Sequence, residues 1–113
     1  VAQYTVAVDF DGVIHRYEGW KGPDVLDEPN PGAREFLAEL VARGFRVVIL
    51  TTRPARFVEP WLRRYRMDDL VDQVTSEKVA AVAYIDDRAV RFRGNWDQVL
   101  ARLGEQPWWK HAG

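Results

Sequence analysis

The chain has 113 residues, 47% of them apolar, with 16 basic and 17 acidic side chains and a formal charge of −1. That length and apolar share describe one globular domain over 1–113 with a single core, not a disordered or repetitive segment. A chain with no cysteine has no disulfide staple and no thiolate metal site, and a balanced charge exerts no global pull towards nucleic acid or an anionic membrane.

Taken in order, Tyr4 to Val8 is a short β-branched and aromatic run that stops at Asp-Phe-Asp-Gly, the pattern of a buried strand entering a turn. The segment 12–30 carries Gly12, Gly19, Gly22, Pro23 and Pro29 among aromatics and shows no helical period, so it is expected to be a loop or small hairpin flap. Asn30-Pro31 then predicts an N-cap with proline in the first turn, followed by a helix with Ala33, Phe36, Leu37, Leu40 and Val41 inward and Gly44 at its end. Arg46 to Leu50 is too short and too β-branched for a helix and predicts a second buried strand, ending in Thr51-Thr52-Arg53-Pro54. A second helix is expected with Val58, Trp61, Leu62 and Tyr65 on one face, and with Pro60 in its first turn. A short strand near 71–74 follows, then another within Val79 to Ile85 ending in Asp86-Asp87-Arg88. Asn95 is expected to cap a last helix with Trp96, Val99, Leu100 and Leu103 inward. Residues 105–113 form a tail whose Trp108-Trp109 pair is expected to dock on the domain itself or on a second copy.

Strands that alternate with helices and are apolar on both faces predict a parallel sheet, and such sheets bind ligands at the carboxyl ends of their strands. Asp9, Asp11, Thr51, Asp86 and Asp87 all fall at those ends. Two carboxylates about 4 Å apart repel by roughly 4 kcal/mol in a partly protein-like medium, so a converging group needs a positive partner. With oxygen donors, two histidines and no thiolate on offer, that partner is expected to be magnesium, which commonly shares its site with a substrate phosphate. Thr51 and Lys78 supply a hydroxyl and an ammonium for phosphoryl oxygens.

These residues resemble the haloacid dehalogenase-like superfamily of phosphohydrolases. The likeness rests on D-F-D-G-V at Asp9 to Val13, the strand ending in T-T-R at Thr51 to Arg53, Lys78, and Y-I-D-D-R at Tyr84 to Arg88, in that order. It implies a three-layer, Rossmann-like α/β fold with helices on both faces of a parallel sheet. It implies that Asp9 is a nucleophile forming an aspartyl-phosphate, that Asp11 is the general acid and base, and that Thr51, Thr52 and Lys78 hold the phosphoryl group. Magnesium would be held by Asp9, the main-chain carbonyl of Asp11, and one of Asp86 and Asp87. An aspartate two residues after the nucleophile resembles the phosphatases and not the halide-removing members.

Neither gap between motifs has room for the inserted cap domain that many relatives carry, so an open, capless site is expected. His15, Arg16, Arg53 and Arg88 then become the candidate substrate contacts. The expected activity is hydrolysis of a phosphate monoester, on a small molecule or a phosphorylated polymer end. The alternatives are a polynucleotide 3′-end phosphatase, with Arg53, Arg56, Arg88, Arg91 and Arg93 along the approach, and a receiver-like phospho-acceptor module with no turnover. Against the receiver stands the motif order, since D-x-D comes first here and D-D last. A homo-oligomer fits the tryptophan pair. No signal-peptide pattern opens the sequence and no apolar run approaches a membrane span, so a cytoplasmic, membrane-independent protein is expected.

Overall fold

A computed structural model describes residues 3–105. Four strands, β1 (Thr5–Asp9), β2 (Arg46–Leu50), β3 (Gln73–Thr75) and β4 (Ala83–Ile85), form one parallel sheet in the order β3-β2-β1-β4. Three helices, α1 (Ala33–Ala42), α2 (Ala55–Arg64) and α3 (Trp96–Glu105), complete an α/β fold of the Rossmann type, and no cap domain is present among the described residues. The interior strands β1 and β2 are buried along their middles, as continuous apolar runs require, while the edges are only three residues long.

Alternation along the strands divides the sheet into two faces. Val6 and Val8 pair in register with Val47 and Ile49, and these four pack beneath Leu37 and Leu40 of α1 and Val58, Trp61 and Leu62 of α2. The other face carries Ala7 opposite Val48 and Tyr84, and its next side chain up β1 is Asp9. Ala7 is small, so the sheet floor beneath Asp9 is low.

Several boundaries differ from the sequence reading. Asn30 does not cap α1, because its amide donates to the Val13 carbonyl at 2.8 Å; Gly32, at φ 85°, turns the chain into the helix instead. A left-handed residue there favours glycine, which has no Cβ to clash. Phe36 and Val41 stay exposed, since Ala33, Leu37 and Leu40 already fill the narrow inward stripe. Pro60 lies mid-helix in α2, and because it faces solvent, the group its missing N–H leaves unpaired can be hydrated. The expected strand near 71–74 lies at Gln73–Thr75, and only the last residues of Val79–Ile85 are extended. Asn95 does cap α3, its Oδ1 accepting the Gln98 N–H at 3.1 Å, but Trp96, Leu100 and Leu103 are exposed and not inward. The helix buries no side chain, and Trp96 instead stacks on Phe92. Trp108 and Trp109 lie outside the described residues.

Candidate active site

The carboxyl ends of β1, β2, β3 and β4 surround a cleft of about 530 Å³, lined among others by Asp9, Asp11, Thr51, Thr52, Lys78 and Asp86. Its position follows from the sheet: Asp9 pairs with Leu50 in register, and Asp86 continues the Tyr84 face of β4 beside β1. Asp9, Asp86 and Asp87 bring one carboxylate oxygen each within 4.8 Å of one another. Asp9 Oδ1 accepts the Phe10 N–H at 2.8 Å, whereas its Oδ2 is buried with no hydrogen-bond partner. Burial first, and then the neighbouring charge of Asp86, push the Asp9 carboxyl from 3.8 up to about 7.

An orphaned buried oxygen within an acidic cluster is what an oxygen-seeking cation satisfies, and the all-carboxylate donor set suits magnesium. Gly12 makes the cradle possible. At its φ of +85° no other residue is comfortable, and a Cβ there would lie 2.2 Å from Asp87 Oδ2.

On the opposite side of the cleft, Thr51 is held by its N–H on the Thr75 carbonyl at 2.9 Å, and its Oγ1 accepts the Arg53 N–H at 3.1 Å. An oxygen used as acceptor retains its hydroxyl proton for donation. Lys78 is exposed at the rim, its ammonium 5.7 Å from the Tyr84 ring centroid, and the Tyr84 hydroxyl bonds to the Val79 carbonyl. Arg88 also lines the cleft, and its backbone N–H donates to Asp86 Oδ1 at 2.8 Å. Ser76, which the sequence reading passed over, sits there too, just beyond the end of β3, where the strand-end rule would have found it.

Asp11 is held from behind. The Arg53 Nε lies 3.0 Å from both of its oxygens, and His15 Nδ1 lies 2.8 Å from Oδ1. The other ring nitrogen of His15 accepts the Asp27 N–H at 2.7 Å, which fixes the tautomer: Nδ1 carries the proton and donates to Asp11. The imidazole is stacked on Phe10 and meets the edge of Trp61, whose indole N–H donates to the Asp27 carbonyl. Burial pushes the Asp11 carboxyl up, but the His15 and Arg53 hydrogen bonds and the Arg53 charge more than offset it, so it lies below the ordinary carboxylate value.

Of the four expected substrate contacts, only Arg88 faces the cleft. His15 and Arg53 are 1% and 3% exposed and are bonded to Asp11 and the flap, and neither lines that cleft. Arg16 is exposed but pairs with Glu18 and Glu28 on the flap.

Comparison with known proteins follows the same lines. The structure of a conserved protein from Bacteroides thetaiotaomicron is similar, with a TM-score of 0.61 and 25% identity over 92% of each chain. Among curated proteins none matches. The family model described as haloacid dehalogenase-like hydrolase matches residues 1–105, nearly the whole chain, and the protein belongs to that family.

Proposed function

We propose that this hydrolase is a magnesium-dependent phosphatase that cleaves a phosphate monoester through an aspartyl-phosphate on Asp9. The observation that carries the reading is the buried, unpartnered Asp9 Oδ2 beside Asp86 and Asp87, in a cleft that also presents Thr51 and Lys78. Asp9, Asp86 and Asp87 would hold the cation, which supplies positive charge against the phosphoryl oxygens and keeps the Asp9 carboxylate ionised.

The Thr51 hydroxyl and the Lys78 ammonium orient and neutralise the remaining phosphoryl oxygens. An Asp9 oxygen attacks phosphorus, the bond from phosphorus to the ester oxygen breaks, and that oxygen leaves with a proton from Asp11. Water then attacks the acyl phosphate, Asp11 takes the water proton, and phosphate departs with the Asp9 carboxylate restored. The negative charge of a bound phosphate raises the proton affinity of Asp11, which loads it for the first step.

Without a cap, the cleft suits a phosphorylated small molecule or a phosphorylated polymer end. A polynucleotide end is favoured by one observation: a second cleft lined by Arg91, Arg93 and Arg102 shares Ala89 with the first. Phosphate release from 4-nitrophenyl phosphate with magnesium present tests the main reading. Turnover is expected, with loss in Asp9→Asn, and an Asp9→Asn variant that keeps wild-type turnover overturns it. The polynucleotide reading requires that a 3′-phosphorylated oligonucleotide be cleaved faster than the aryl phosphate and that the advantage fade with salt.

A further inference from the structure

The segment between β1 and α1 has little regular structure of its own. Gly12, Gly19 and Gly22 all take positive φ, and the segment is tied to itself by isolated bridges from His15 to Asp11 and to Pro29, by the Asn30 amide on the Val13 carbonyl and by the Arg16 ion pairs with Glu18 and Glu28. A side chain from elsewhere adds to these ties, beside the Trp61 indole on the Asp27 carbonyl. Arg53, just beyond β2, lies within the segment: one face of the guanidinium is covered by Trp20 at 4.7 Å, and Nη1 donates to the carbonyls of Gly22 at 2.8 Å and Pro23 at 3.0 Å. The Nε of the same group lies 3.0 Å from both Asp11 oxygens. His15 adds a second link between the same parties, from Asp11 through the ring to the Asp27 backbone.

A planar fork is needed for this. A guanidinium presents donors in fixed directions, so the carbonyls it grips and the carboxylate it aims are set at one mutual angle. A lysine ammonium can satisfy one side but not both. A buried arginine with one carboxylate and a ring of backbone carbonyls as partners is also costly to leave half-satisfied.

We propose that Arg53 is a positioning residue that ties the aim of the Asp11 carboxyl to the seating of the 12–30 flap, so that this capless hydrolase transfers protons well only with the flap closed on Arg53. The inference rests on the reading of Asp11 as the proton-transfer group. It assigns to the flap the role of ordering the site, and to Trp20 the role of keeping water from the guanidinium.

The test uses Arg53→Lys and two substrates that differ in how much they need an acid. The phenolate of 4-nitrophenyl phosphate leaves without help, whereas the alkoxide of glycerol 2-phosphate must be protonated as it departs. Because general acid catalysis is typically worth ~10²-fold or more, kcat on the alkyl ester is expected to fall ~10²-fold, while on the aryl ester it falls only several-fold, each KM moving less than about threefold. An equal fall on both esters, or a rise in both KM values at constant kcat, overturns the proposal in favour of a structural or a substrate-binding arginine.

The flap half is read without turnover. Tryptic cleavage after Arg16 and Lys21 is expected to accelerate at least tenfold in Arg53→Lys while the melting midpoint changes by only a few degrees, and cleavage at the wild-type rate refutes the tether. If the wild-type protein hydrolyses neither ester, the phosphatase reading fails by itself, and the proteolysis result still decides whether Arg53 seats the flap.

Discussion

Asp9 and Asp11 stand two residues apart and titrate in opposite directions. Because burial and Asp86 raise the Asp9 carboxyl from 3.8 to about 7, the native state binds that proton more tightly than the unfolded chain between these values. Its contribution to stability is therefore fully present below 3.8 and is lost as pH rises through 7. Without metal, wild type should lose stability relative to Asp9→Asn as pH is raised from about 5 to about 8, by roughly 1–2 kcal/mol after discounting for solvent, and magnesium should narrow the gap. Chemical denaturation of both proteins at the two pH values, with and without the cation, checks this. Asp11, whose carboxyl is lowered, contributes stability above 3.8 that disappears as pH falls through its folded value. A second prediction concerns Gly12→Ala: a methyl group 2.2 Å from Asp87 Oδ2, on a backbone at φ +85°, should displace that carboxylate. Magnesium affinity by calorimetry should fall about 10- to 100-fold. At this scale the acidic residues and Thr51 were legible because they terminate apolar runs, and strand ends meet in a parallel sheet. The burial of His15 and Arg53 was not. Arg53 meets Asp11 across 42 positions, and no periodicity encodes such a pairing.

Among the elements, α1 and α2 were legible from spacing, and their errors are instructive. Leu37 is fully buried under α1 against the Val6, Val8, Val47 and Ile49 face. Leu37→Ala should cost about 2–5 kcal/mol in denaturant titration, the usual range for emptying such a site. Pro60 was expected in a first turn and lies well inside α2, where it removes a backbone donor on the solvent side. Pro60→Ala should therefore stabilise the protein, by about 1 kcal/mol once the greater freedom of the unfolded alanine chain is set against the helix gain. Thermal melting of the two variants should move in opposite directions. The apolar period of α3 predicted a buried face, but Trp96, Leu100 and Leu103 remain exposed, because periodicity reports that a face exists and not what meets it.

For the molecule as a whole, the order of elements and the parallel sheet were legible because a helix separates β1 from β2 and β2 from β3, as parallel crossovers favour, whereas residues 76–82 join β3 to β4 without one. The open cleft was legible from the shortness of both intervals between motifs, while the flap's internal anchor was hidden. A ligand that binds only the folded form raises stability by mass action, about 2.7 kcal/mol at a hundredfold excess over Kd. Magnesium should thus lift the melting midpoint of wild type and leave Asp86→Asn, stripped of one donor, largely unmoved.

The sheet order has a bearing on biosynthesis. Of the four strands described, β1 leaves the ribosome first and ends up inside the sheet, and one of its flanks is completed only when Ala83–Ile85 emerges. Until then a nascent chain carries an apolar strand with bare amide and carbonyl groups along one side, open to any other polypeptide that can hydrogen-bond there.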